Sequence, residues 1–120
     1  MKAQAILFLS SVLTIFSSPV WAGDAEDQRI ISAAKPVTVA VALKAAKDTP
    51  VQLTGTIVAQ VKHEHYQLKD QTGVINVEID DDLASAAQLK NGTKVRVIGE
   101  VDTHRYKAKD IDVVKVDILK

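Results

Sequence analysis

Apolar and polar positions alternate most cleanly between His65 and Asp80. Tyr66 and Leu68 fall on one face of an extended segment, and Asp70-Gln71-Thr72-Gly73 supplies turn residues. Ile75, Val77 and Ile79 then alternate with Asn76, Glu78 and Asp80. A period of two on both sides of a turn predicts a β-hairpin with one buried face. Upstream, Val51, Leu53, Gly55, Ile57, Ala59 and Val61 share one face of a strand of about eleven residues, twice the usual length. Gly55, midway along the inward face, predicts a sharp coil or a close backbone approach, as where one strand serves both halves of a small barrel. Downstream, Thr93 to Asp102 turns Val95, Val97, Gly99 and Val101 inward. The last strand, Asp110 to Leu119, carries Ile111 and Val113, then Val114, Val116 and Ile118. That slip of phase at Val113-Val114 predicts a β-bulge.

Two segments have helical spacing. Thr38 can cap a helix whose inward side is Val41, Ala42, Ala45 and Ala46, stopping before Asp48-Thr49-Pro50. The β-branched Val37, Val39 and Val41 fit a strand there as well. After the acids Asp80-Asp81-Asp82, which suit a helix N-terminus, Leu83, Ala86, Ala87 and Leu89 predict a short helix ended by a left-handed residue at Asn91-Gly92. Gly23 to Lys35 is charged, with Ile30-Ile31 as its apolar pair, and reads as a flexible N-terminal arm, with a short helix around Arg29 to Ala33 as the alternative. Lys62-His63-Glu64 and Thr103 to Lys109 are connections. Three strands, a helix and two more strands is the order of the OB-fold, with an SH3-like barrel as competitor. The expected fold is mainly β: a five-stranded OB-fold barrel over residues 37–120, with an N-terminal helix and a short helix between strands three and four, behind an arm at 23–36.

The first 22 residues have a different character. Lys2 precedes a nearly continuous apolar run from Ala3 to Phe16, and Val20 and Ala22 place small residues at the positions a signal peptidase reads. This is the pattern of a secretory signal peptide cleaved after Ala22. The run is short for a span of about 20 residues, which argues against a stable membrane anchor. In a Gram-negative bacterium the product is then periplasmic. Cleavage removes Phe8, Phe16 and Trp21, so the core must be built from Val, Ile, Leu and Ala.

Charge and composition narrow the function classes. Basic and acidic residues both number 15, so no overall field draws the chain to nucleic acid or to an anionic membrane. Single-strand binding needs several stacking aromatics in a basic groove, and Tyr66 and Tyr106 are too few, so no nucleic acid is expected as partner. Cysteine is absent, which excludes disulfides, thiolate metal sites and a thiol nucleophile. Ser32 and Ser85 are the serines beyond the leader, and neither sits in a Gly-x-Ser-x-Gly setting. The chain is expected not to be an enzyme, and to be a monomer.

Val51 to Val58 and Tyr66 to Asp80 resemble the bacterial OB-fold (BOF) family, small periplasmic stress-tolerance proteins of the YgiW/YdeI type. Val95 to Asp102 and Ile111-Asp112-Val113 are similar to the family's later blocks, so the resemblance covers about Val37 to Leu119. It implies the fold, the periplasm and a role in envelope stress tolerance. Two positions depart from it: Leu83 stands where members commonly carry an aromatic, and His104-Arg105-Tyr106 fills the loop after Asp102 with one residue more.

OB-folds bind along the face of the second and third strands, between the first-to-second and fourth-to-fifth loops. Those loops hold all three histidines, His63, His65 and His104, with Tyr66 and Tyr106 at their edges. The expected binding residues are His63, His65, Tyr66, Lys69, His104, Arg105, Tyr106 and Lys107, facing a periplasmic small molecule, an anionic glycan or a cationic peptide. No cofactor is required. An alternative is a metal site on His63, His65 and His104, of the zinc or copper class, because imidazole suits those ions. The run Asp80-Asp81-Asp82 lacks the glycine and the spacing of a calcium loop.

Overall fold

The computed structural model describes residues 24–120. The elements are α1 (Asp24–Ala33), β1 (Lys35–Pro36), α2 (Val39–Lys44), β2 (Pro50–Lys62), β3 (His65–Asp70), β4 (Gly73–Glu78), β5 (Lys94–Asp102) and β6 (Asp110–Ile118). The expected signal peptide lies outside the described residues. Strands β2 to β6 close a barrel in the order β2-β3-β4-β6-β5, with β5 returning to β2 and β1 added outside, parallel to β2. This is the expected mainly β, five-stranded OB barrel.

Closure depends on β2. Its first half, Pro50 to Thr56, pairs with β5, and its second half, Thr56 to Lys62, pairs with β3. At Gly55 the strand changes partner. A Cβ there would stand 2.5 Å from the Lys69 carbonyl oxygen, so the missing side chain is what lets β3 come so close. Two register shifts follow, so that Val58 and Val61 are extra residues on β2. A one-residue slip reverses the faces of a strand. Ala59 therefore pairs with the outward Gln67, and Val61 is 56% exposed rather than inward as the alternation predicted.

The core is the aliphatic set the composition demanded, with one aromatic. Leu53, Ile57, Leu68, Val77, Ile79, Val95, Val97, Val101 and Ile111 are fully buried together with Tyr66. Burying each such side chain stabilises the fold by roughly 1.5–3 kcal/mol. The predicted bulge is present. Ile98 pairs with Lys115 but Gly99 pairs with Val113, leaving Val114 as the extra residue. Gly99 belongs to the same device, because a Cβ there would collide with the Asp112 carbonyl and approach the Val113 Cα to 2.8 Å.

The helices differ more from expectation. The stretch read as an arm is the ten-residue helix α1, which packs on β5, β2 and β6. Its anchor is Ile30, 3% exposed, on the side of the barrel where Ile98 on β5 is 8% exposed although its neighbours Val97 and Gly99 point inward. A single deeply buried apolar residue in a charged segment leaves almost no periodic signal. Thr38 does cap α2: its Oγ1 accepts from the Val41 N–H at 3.2 Å. Helix α2 is only six residues long and buries Val39 and Ala42, with Val41 52% exposed. At the place of the expected short helix the chain makes two single helical turns. The Ala84 N–H donates to Asp80 O, and the Leu89 N–H donates to Ser85 O, which buries Ala84 and Leu89. Gly92, at φ +93°, adopts the predicted left-handed conformation.

Candidate functional site

The loops expected to frame a cleft are the β2–β3 turn at His63-Glu64 and the β5–β6 loop from Thr103 to Lys109. Between them lies a groove of about 230 Å³ lined by Lys62, His65, Asn76, Lys107 and Asp110, with Val61 and Ala108 at its edge. The register explains why these residues meet. His65 is the partner of Glu78 across β3 and β4, and Asn76 is the partner of Asp110 across the parallel β4–β6 pair. The groove thus sits on the outer face of β3, β4 and the start of β6.

The structure divides the three histidines. His63, at the exposed turn, bonds Asp81 through Nε2 at 2.5 Å, and Glu64 Oε2 accepts from the Asp81 N–H at 2.8 Å. The hydrogen bond to Asp81 and its charge raise the His63 pKa. Glu64, at φ 66°, also accepts from the Ile79 N–H through its carbonyl, so this turn is tied to the chain that leaves β4. His65 lines the groove beside Glu78 and Asp110. His104 reaches the other side of Asp110, with Nε2 3.0 Å from Asp110 Oδ1 and 3.8 Å from Asp102 Oδ2. His63 therefore belongs to a different cluster from the other two.

Other expected contacts are placed just as plainly. Tyr66 is 0% exposed and forms part of the core, because the alternation that turns His65 outward turns Tyr66 inward. Burial raises its phenol pKa, with Asp81 and Glu64 adding to the effect. Tyr66 builds the barrel and does not meet a ligand at the surface. Arg105 lies over the Tyr106 ring at 5.9 Å, and Tyr106 is 90% exposed, so both project into solvent from the loop. Lys107 lines the groove. Lys109 is occupied: its Nζ donates to the carbonyls of Leu43 at 2.8 Å and Ala45 at 2.6 Å, closing the end of α2.

Lys69 stands elsewhere. It lines a larger, open groove of about 690 Å³ outside β2, with Thr54, Thr56, Gln71, Thr72 and Lys94. Within that groove Asp70 has a structural task. Its carboxylate accepts from the Val39 N–H at 2.9 Å, the Thr72 N–H at 2.7 Å, the Thr72 hydroxyl at 2.6 Å and the Gly73 N–H at 3.2 Å. Burial works against this carboxylate, but those four donors together hold its pKa below the usual range. The Thr72 Oγ1 also accepts from the Ala40 N–H, so the hairpin tip caps α2. The smaller groove is the better candidate site, because ionisable groups converge on it without any such structural assignment.

What the sequence did not reveal is the cross-strand acidity that starts at Asp110 in the smaller groove and continues along β6 to Asp112. Asp112, with Glu78, Asp80 and Asp82, lines a separate groove of about 340 Å³. Asp110 is the one charged residue that is buried among those described, its side chain 7% exposed. Glu78 is the register partner of Asp112, Asp112 of Glu100, and Asp110 of Asp102. Surrounding protein raises the Asp112 pKa, with the charges of Glu78, Asp102, Asp110 and Asp27 adding to it. Glu100 is raised in the same direction, first by burial and then by Asp48 and Glu26, against a lowering by Arg29.

The comparisons with known proteins agree with this architecture. The chain is 43% identical over 83 residues to the calcium-regulated OB-fold protein CarO of Pseudomonas aeruginosa, covering 69% of this chain and 71% of that one. It is 35% identical over 71 residues to protein YgiW of Escherichia coli, covering 59% of this chain and half of that one. The solved structure of YgiW superposes with a TM-score of 0.64 at 32% identity, over 71% of this chain and 90% of that one. Residues 16–118 match the model of the bacterial OB fold (BOF) proteins, and the chain belongs to that family.

Proposed function

We propose that this chain is a periplasmic binding module with a role in envelope stress tolerance, holding a small polar or anionic ligand in the groove between the β2–β3 turn and the β5–β6 loop. The observation that carries the reading is the convergence of Lys62, His65, Asn76, Lys107 and Asp110 on one concave patch between these loops, the place where OB barrels hold ligands. Two lysines and an amide at the rim offer donors to an anionic or hydroxyl-rich molecule. Secretion is supported by the apolar run and the small residues before Gly23. Among the described residues, no helix is long and apolar enough to cross a membrane.

The test is to add a periplasmic small-molecule extract to isotope-labelled protein and follow backbone amide resonances. Shifts confined to the neighbourhood of Lys62, His65, Asn76 and Lys107, and weakened in Lys107→Glu, are expected. Shifts centred on Thr54, Thr56 and Lys94 would move the site to the larger groove. No shift anywhere would remove the reading.

A further inference from the structure

Three strands of this barrel set carboxylates opposite carboxylates, where cross-strand pairs normally alternate in sign. Glu78 faces Asp112, Glu100 faces Asp112, and Asp102 faces Asp110 across directly paired positions. Each like-charged pair costs stability. Asp110, the most buried of them, pairs with no lysine or arginine among the described residues, and its side-chain hydrogen-bond partner is the His104 imidazole. A carboxylate taken out of water needs hydrogen bonds or a cation beside it. The side chains brought to it here are imidazoles, His65 from β3 and His104 from the β5–β6 loop.

These groups lie close enough together to share one ion. One ligand atom each from His65, Glu78 and Asp110 lies within 4.8 Å of the others, and Asp102, His104 and Asp110 form a second such set around the same Asp110. His65 and Asp110 also line the groove, so an ion has a path from solvent. We propose that His65, Glu78 and Asp110 bind a divalent transition-metal ion of the zinc or copper class. Imidazole beside carboxylates favours these borderline ions over oxygen-seeking ones. His104, bonded to Asp110 Oδ1 at 3.0 Å, is the positioning partner that fixes the ligating carboxylate. Three protein ligands would leave the ion free to take one more, and Lys62 and Lys107, which line the same groove, favour an anionic one. The inference rests on the groove being the binding site; His63, Glu64 and Asp81 form a separate set of potential ligands at the exposed turn, outside the groove.

Zinc alone, titrated calorimetrically into the purified protein and followed by amide resonances, tests it. A single equivalent is expected, with shifts at His65, Glu78 and Asp110. His65→Ala and Glu78→Gln should each weaken binding about tenfold or more, and His104→Gln by a comparable factor. His63→Ala should leave the affinity unchanged. Thermal melts of the variants in the absence of zinc establish that each is folded. Zinc binding abolished by His63→Ala but untouched by His65→Ala would overturn the assignment. Extract-induced shifts at Lys62 and Lys107 in a protein that takes up no zinc would overturn the metal while leaving the groove in place. Silence toward both zinc and extract would remove both.

Discussion

Asp70 and Asp110 are both partly or wholly buried aspartates at the ends of strands, and the protein treats them in opposite ways. Around Asp70 the hairpin tip and the start of α2 gather three backbone N–H groups and a hydroxyl, so the charged form is wanted. Around Asp110 lie Asp102 on β5, Glu78 on β4 and Asp112 two residues along β6, with the His104 imidazole as hydrogen-bond partner and no lysine or arginine within ion-pair distance among the described residues. The first arrangement is what a structural carboxylate looks like. The second spends stability on keeping negative charge together, and such local conflict tends to mark functional surface.

The largest effect should come from breaking the satisfied end. Asp70→Ala removes the cap of α2 and the turn bonds together, and should cost about 2–3 kcal/mol in urea unfolding. A loss below half a unit on that scale would mean that the tip is not a structural centre. Smaller and opposite in sign is Asp112→Asn, which relieves two like-charged pairs and should stabilise by about 0.5 kcal/mol, kept modest because the side chain still reaches solvent. Destabilisation by that substitution would mean that the carboxylate has a partner after all.

Acid should erase both effects, for opposite reasons. The Asp70 pKa is lowered on folding, so its stabilisation is present above the ordinary value of 3.8 and lost as the pH falls through the folded value. The Asp112 pKa is raised above 3.8, so the folded protein holds that proton more tightly than the unfolded chain. Its contribution is present below 3.8 and lost as the pH rises through the raised value. Unfolding curves of wild type and both variants should therefore diverge in opposite directions at neutral pH and converge in acid. The smallest effect belongs to His63→Ala. Its bond to Asp81 is solvent-exposed and screened, so the urea midpoint should stay at the wild-type value.

Much of the satisfied end could be read in the sequence because its parts are contiguous. Alternation on both sides of Asp70-Gln71-Thr72-Gly73 and the cap at Thr38 are local patterns, and so is the phase slip at Val113-Val114 that became the bulge. The acidic face is not local. It arises from the parallel β4–β6 register and the β5–β6 register, which join positions far apart in the chain. The same cause separates His63 from His65: two bulges in β2 and a left-handed Glu64 turn one toward Asp81 and leave the other over Asp110. Helix α1 escaped because the surface it covers, around Ile98, exists only after the barrel has closed.

The difference between the two ends is tested most directly by a carboxyl-resonance pH titration of Asp70 and Asp112 in the same metal-free sample. Asp70 should titrate below the ordinary aspartate range and Asp112 above it. Equal midpoints, or the reverse order, would contradict the account of a satisfied tip and an acidic, cation-seeking face.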